Sequence, residues 1–420
     1  MSEVLDAWPV LPVSLISRVE YLYGSVLHPK SDQRWDNVVA ALESQHCNRI
    51  REIYISDITN SRWESLSAAM QKPFPELTRL EVGVNYWDRD LVPVFPDSFL
   101  GGSAPRLRQL SFGGVPFPSI PKLLLSATGL VALTLRDIPD SGYISPDAIA
   151  TALTVMTKLE ILDVQFRSPR SRPDPASLPP PPPTRFVLPA LTKLIFEGVH
   201  EYLEDLLSRI NAPLLYNLRI IFFMDLDFDV PQYHWLVGHA KVFKAFDHAE
   251  VLISDNSIKL SFYPKTGVVD HHRLELQINC EELDWQLSSL AQVCSSSFPL
   301  FSTLEELELR NHKSLSTSQW KDDIENAQWL ELLDPFTALK NLYLTPGAEQ
   351  HVCGALKELS GERATEVLPA LRNLFVDGFE SVKRVQEAIR PFIAARQLSG
   401  HPVTIDHWQS VRKRKRKRKR

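Results

Sequence analysis

Three short stretches carry residue types that can do chemistry. Met224-Asp225-Leu226-Asp227-Phe228-Asp229 spaces three carboxylates two apart, which on a strand puts them on one face, where hard-cation binding through oxygen is conceivable. No glycine turn or downstream glutamate completes a calcium loop, so a solvated acidic loop is the simpler reading. Asp270-His271-His272 joins a carboxylate to adjacent histidines, but neighbours on a strand point to opposite faces and do not readily share a metal. Asp322-Asp323-Ile324-Glu325 precedes Trp329-Leu330, and acids there complement a helix dipole without further purpose. No GxSxG, GxxxxGK[ST] or GxGxxG is present, and no nucleophile stands beside an obvious base. Cys47, Cys280, Cys294 and Cys353 form no CxxC pair, which argues against structural zinc and a disulfide scaffold and for buried free thiols. The expectation is no catalytic activity, no metal, no cofactor and no small-molecule substrate.

Charge has a sharper distribution. Arg412, Lys413, Arg414, Lys415, Arg416, Lys417, Arg418, Lys419 and Arg420 form an unbroken basic run. Without those nine, 37 basic side chains face 51 acidic ones, a balance of −14, against −5 for the whole chain. An acidic body is not expected to bind nucleic acid. The run itself reads as a nuclear import signal first, with a nucleic-acid patch, an acidic-membrane binder or low-complexity sequence of no selected role as the alternatives, and any nucleic-acid binding by it alone would be sequence-independent and salt-sensitive. The first twenty residues do not form a signal peptide, and no run approaches the ~18 apolar residues of a membrane span. The expected location is nuclear or cytoplasmic, neither secreted nor membrane-bound.

The elements that must position any site come from one repeated phrase: leucine, two residues, leucine, one residue, apolar. It occurs as Leu77/Leu80/Val82, Leu107/Leu110/Phe112, Leu130/Leu133/Leu135, Leu159/Leu162/Val164, Leu191/Leu194/Phe196 and Leu215/Leu218/Ile220. It resumes at Leu304/Leu307/Leu309, Leu339/Leu342/Leu344 and Leu371/Leu374/Val376. Ile50/Ile53/Ile55 is a first copy; Phe246/Ala249/Val251 and Leu274/Leu276/Ile278 are degenerate candidates between. Alternation over the last positions predicts a short strand with one buried face. Helical spacing follows between phrases: after Ser145-Pro146-Asp147, over Glu201–Ile210, over Leu283–Val293 and over Ser381–Leu398.

The prediction is therefore an α/β leucine-rich-repeat solenoid: about twelve strand–loop–helix units, parallel strands on the concave face and helices on the convex one. The family's usual Asn or Cys after the strand is met only by Asn85; Ile58, Val115, Ile138, Val199 and Phe379 stand at the other positions, so an irregular arc is expected. Residues 1–45 read as a lead-in cap, 46–408 as the solenoid and 409–420 as the basic tail. A proline-rich loop occupies 168–184. Residues flanking each inner leucine would face outward: Arg79, Glu81, Arg136, Asp163, Gln165, Lys193, Glu197, Arg219, Glu308, Arg310, Tyr343 and Asp377. Their mixture of charges and an aromatic suits a specific protein contact.

FPELTRLEV (74–82), PDSFLGGSAPRLRQLSF (96–112), LPALTKLIFEGVHEYLEDLLSRINAPLL (188–215), DDIENAQWLELLDPFTALKNLYL (322–344) and ARQLSGHPV (395–403) together resemble the leucine-rich-repeat region of F-box proteins from mushroom-forming fungi. The resemblance runs from about Trp8 to about Trp408. It implies a protein partner on the concave surface, delivered for ubiquitination. In that family an F-box binds the Skp1 adaptor of a cullin ligase. Here Leu11-Pro12-Val13-Ser14-Leu15-Ile16 echoes only its opening and reads as lead-in to the repeats. Two other readings stay open: a basic-tailed nuclear scaffold outside the ubiquitin pathway, and an α/β barrel enzyme, against which the number of units stands.

Overall fold

The repeated phrase is where the strands form. The computed structural model describes residues 12–17, 30–84, 96, 98–115, 120–169, 185–223, 228–264, 273–280, 283–294, 300–301, 303–311, 326–359 and 361–408. The chain divides into two compact units, Met1–Leu215 and Tyr216–Arg420.

The first unit contains Val13–Ser17 (β1), Ile50–Ile58 (β2), Arg79–Val84 (β3), Gln109–Gly113 (β4), Ala132–Ile138 (β5), Ile161–Phe166 (β6), Phe186–Val187 (β7), Lys193–Gly198 (β8) and Ile210–Asn211 (β9). Its main sheet has the order β1-β2-β3-β4-β5-β6-β8, every pair parallel, and β7 pairs with β9 apart from it. The phrase explains this order. Its first leucine closes a turn: the amides of Leu77, Leu107, Leu130 and Leu159 donate to Phe74, Ala104, Ala127 and Met156, each at 3.1 Å. The next amide starts the ladder to the preceding strand, Thr78 to Arg51, Arg108 to Thr78, Val131 to Arg108 and Glu160 to Val131, each at 2.8 Å. An apolar residue three before the first leucine thus belongs to the repeat, because the turn buries it with the strand's own leucines.

The second unit contains Asn217–Phe223 (β10), His248–Ser254 (β11), Ser257–Tyr263 (β12), Arg273–Asn279 (β13), Glu306–Asn311 (β14), Asn341–Leu344 (β15), Asn373–Asp377 (β16) and Thr404–Trp408 (β17). Here the expectation of parallel strands alone is corrected. The order is β10-β13-β12-β11-β14-β15-β16-β17, and β12 is antiparallel to both neighbours. Ser254 pairs with Ser257 across Asp255-Asn256, a two-residue turn that reverses the chain on itself. The two degenerate phrases flank this hairpin strand. β13 lies beside β10 and β11 beside β14, so the interrupted repeat pattern marks an inserted strand.

Helices form where the spacing predicts them. Ser145 caps Pro146–Leu153, its Oγ accepting from the Ala148 amide at 3.2 Å. His200–Arg209 buries Tyr202, Leu203, Leu206 and Leu207. Leu283–Val293 buries Leu287 and Leu290. The span Ser381–Leu398 is two helices, Phe379–Ala388 and Arg390–Leu398, divided at Ile389. Pro391 has no amide to donate into the preceding turn and starts the second helix instead. The helices cover the leucine face of the sheets. Ile58, Val115, Ile138 and Val199 are buried behind the strands, filling the positions of the missing asparagines. The opposite face carries the alternate side chains, some of them, such as Asp163, Glu275 and Glu308, covered by their neighbours.

Candidate functional site

A parallel strand shows alternate side chains to opposite sides, so each phrase puts its apolar residues under the helices and the intervening ones on the open face. In the first unit the open face of β2 and β3 carries Tyr54, Arg79 and Glu81. The Arg79 guanidinium lies 4.5 Å from the Tyr54 ring centroid and 3.7 Å from Glu81. Further along, Arg136 of β5 grips Asp163 of β6 through Nε at 2.9 Å and Nη2 at 2.7 Å, and Gln165 donates to the other carboxylate oxygen at 2.7 Å. Asp163 is corrected from an exposed to a buried position, at 1% exposure. It sits in register between Thr134 and Ile195 and is roofed by Arg136. Lys193 and Glu197 of β8 are half-buried on the same side.

The open face of the second unit is organised in rows across the strands. One row runs His248, Glu306, Asn341, Asn373, Thr404. Neighbours hold hands along it: His248 Nδ1 lies 3.5 Å from Glu306, Asn341 donates to Glu306 at 3.3 Å, Asn373 to Asn341 at 2.8 Å and Thr404 to Asn373 at 2.7 Å. The next row runs Glu250, Glu308, Tyr343, Phe375, Asp406. The Tyr343 and Phe375 rings stack with centroids 4.7 Å apart, and Trp408 meets Tyr343 edge-on at 5.0 Å. Such ring pairs are stabilising beyond the area they bury.

Charge is concentrated beside the rings. Arg310 contacts Glu308 at 2.5 Å and Glu250 at 3.3 Å, and Tyr263 donates to Glu250 at 3.0 Å. Glu308 is the second correction, buried at 5% exposure where an exposed residue was expected. Burial lifts its pKa above the ordinary carboxylate range; Arg310 opposes the shift and Glu250 adds to it. Burial works against the Arg310 charge, yet Glu308 and Glu250 outweigh it and its pKa is raised. Toward β10, the buried Glu275 is paired with both Arg219, at 3.0 Å, and Arg273. Asp377 is half-buried, in register with Trp408.

The structure therefore brings Arg136, Asp163 and Gln165 into one cluster of the first unit. In the second unit it brings Glu308 and Arg310 together beside Tyr343. Sequence reasoning missed Tyr54, Glu250, Arg273, Glu275, Phe375, Asp406 and Trp408. Most of these lie on strands whose phrase was blurred or at the last strand, where no full phrase exists; Phe375 and Tyr54 were legible from the same rule that found Tyr343.

The thiols of Cys280, Cys294 and Cys353 are buried and in no disulfide, with Cys353 pushed up to about 12 by burial and by Glu349. Among the described residues no three His, Cys, Asp or Glu side chains gather as a metal site, and no helix is long and apolar enough to cross a membrane. Asp225, Asp227, the Asp270–His272 stretch, the acidic stretch 322–325, Asn85, the proline-rich stretch from 170 to 184 and the basic run 412–420 lie outside the described residues. So does Leu11 of the F-box echo, whose Val13–Ile16 portion forms β1.

No family model matches the chain, and no curated protein matches it. Among solved structures it is similar to the leucine-rich repeat-containing protein LegL7 from Legionella pneumophila, at 13% identity and a TM-score of 0.30, over 87% of this chain and 96% of that one. At that score the likeness carries no weight of its own; the repeat character rests on the phrase and on the strand register it produces.

Proposed function

We propose that the chain is a protein-interaction module, with a partner protein held on the open sheet face. The observation that supports this is the second unit's row of stacked aromatics set among ion-paired carboxylates and arginines. Tyrosine, tryptophan and arginine are the residues that dominate binding energy at protein interfaces. The paired charges are preorganised, which favours one partner over others more than it adds raw affinity. The resemblance to fungal F-box repeat regions extends the proposal: the partner is a substrate for ubiquitination, reached through Skp1 and a cullin, and the module performs no catalytic step itself. The site residues are the expected ones other than the covered Asp163 and Glu308, together with Phe375 and Trp408, considered separately for each unit.

The test is affinity purification of the tagged full chain from fungal cells with mass spectrometry of the co-purifying proteins. Wild type is compared with a Tyr343→Ser/Phe375→Ser variant and with Glu331→Gln on a helix. A partner lost with the first variant and kept by the second supports the open face; the opposite pattern rejects it. Co-purification of Skp1 and a cullin supports the ligase reading, and reproducible partners without them reject that part alone.

A further inference from the structure

The open face of the second unit is acidic where the chain leaves it. Outward positions of β11, β14, β15, β16 and β17 carry five carboxylates, Glu250, Glu306, Glu308, Asp377 and Asp406, against one arginine, Arg310, and one histidine, His248. Asp406 is on the last strand, its side chain 73% exposed. The aromatic pair lies in the middle of the same row. Trp408, two residues on, has an indole N–H that is shielded from solvent and finds no acceptor among the described residues.

Four residues beyond Trp408 begin nine consecutive cations. Extended chain covers ~3.3–3.6 Å per residue, so Trp408 to Arg412 reaches ~14 Å. Strands are ~4.8 Å apart, so three strand steps, from β17 to β14, cover the same distance. The run that follows is itself ~30 Å long when extended, more than enough to cross the row from Asp406 to Glu250.

We propose that the basic run Arg412–Arg420 docks in cis across the acidic-aromatic row Glu250, Glu308, Tyr343, Phe375, Asp406, its cations set against the row's carboxylates. The run then acts as an internal ligand that a partner must displace. This regulation rests on the reading of that face as the binding site, but the docking itself does not require a partner. Like any assembly of surface charges, it weakens as salt is raised.

The test is zero-length carbodiimide coupling of the full chain, which joins a lysine amine to a carboxylate only where the two already touch. A dilute equal mixture of ¹⁴N- and ¹⁵N-labelled chains is coupled and digested with chymotrypsin. The expected result is links from Lys413, Lys415, Lys417 or Lys419 to Asp406, Asp377, Glu308 or Glu250 within chains of one label, lost at ~1 M salt. Phe375→Ser reduces their yield several-fold; a Glu331→Gln control leaves it unchanged. Links scattered over helix carboxylates, links only between chains of different label, or no tail links at low salt would each overturn the proposal. None of these outcomes depends on whether a partner protein exists, so failure here is separate from failure of the binding-module reading.

Discussion

Arg396 offers the most direct test of how the second unit is held at its carboxyl-terminal side. It is fully buried, at 0% exposure, and no carboxylate accepts a hydrogen bond from it among the described residues. Its guanidinium donates instead to five backbone carbonyls: His401 at 3.1 Å, Ala364 at 3.3 Å, Leu368 at 3.4 Å, Pro369 at 3.2 Å and Leu371 at 2.7 Å. These carbonyls belong to the turns before β16 and β17, including the strained Leu368 at φ 54°. A repeat array needs its last apolar layer closed, and this side chain ties the closing helix to the turns on either side. Arg396→Met keeps much of the side-chain volume and removes every donor. Leu368 O retains the Leu371 amide, and the bonds to Pro369 and His401 are only part-buried, so water can replace them. The Ala364 and Leu371 carbonyls are left buried and unsatisfied, at ~1–3 kcal/mol each, or roughly 2–6 kcal/mol together. Native-state amide exchange is the assay, because it reads one region of a chain with two units. The β16 and β17 amides are expected to exchange faster by ~30-fold or more, a factor of ten for each ~1.4 kcal/mol. The exposed Arg390→Met serves as control. Exchange of β17 in Arg396→Met within threefold of the wild type would refute the argument that these bonds carry the closure.

Three further outcomes are expected. Arg310→Met strands Glu250 and Glu308 without their shared cation and should cost ~3–5 kcal/mol, whereas Glu308→Gln, replacing a carboxyl whose pKa burial has already raised, should cost under ~1 kcal/mol; urea melts giving the reverse order would defeat this account. His234, half-buried and donating to the Val293 carbonyl, and His351, stacked on Trp329, both have pKa values lowered by burial from the ordinary 6.5. Below 6.5 the unfolded chain therefore binds protons that the folded chain refuses, so stability falls as pH drops from 6.5 toward the folded values, and His234→Gln/His351→Gln should flatten that slope. Gly198→Ala would place a methyl 2.7 Å from the Phe196 ring and 3.0 Å from Phe166, inside the cluster that also holds Tyr202, and should destabilise the first unit by ~1–3 kcal/mol in thermal unfolding. An unchanged melting temperature would show that the rings can move aside.

The strands and their buried face were legible in the residues themselves. Leu80, Leu110, Leu133, Leu162 and Leu194 recur in a phrase whose alternation admits one orientation, and a slip of one residue would turn every leucine into water. The outward positions followed from the same alternation, which is why Tyr343 and Arg136 could be named from spacing. Three features were decided only by tertiary structure. The hairpin strand β12 enters between β11 and β13 because Asp255-Asn256 turns the chain back, and a two-residue turn says nothing about which strand lies on the far side. Asp163 and Glu308 are buried on the face that alternation assigns to solvent: Arg136 of the neighbouring strand covers Asp163, while Glu308 pairs with Arg310 of its own strand, which Glu250 of the strand alongside also holds. Arg396, a charged residue in the Ser381–Leu398 stretch to which helical spacing assigns no role, is wholly enclosed because carbonyls from two turns converge on it. Alternation is a property of one strand and is written in its own residues. What covers a side chain depends on which strand comes to lie beside it, and that choice is made between segments far apart in the chain.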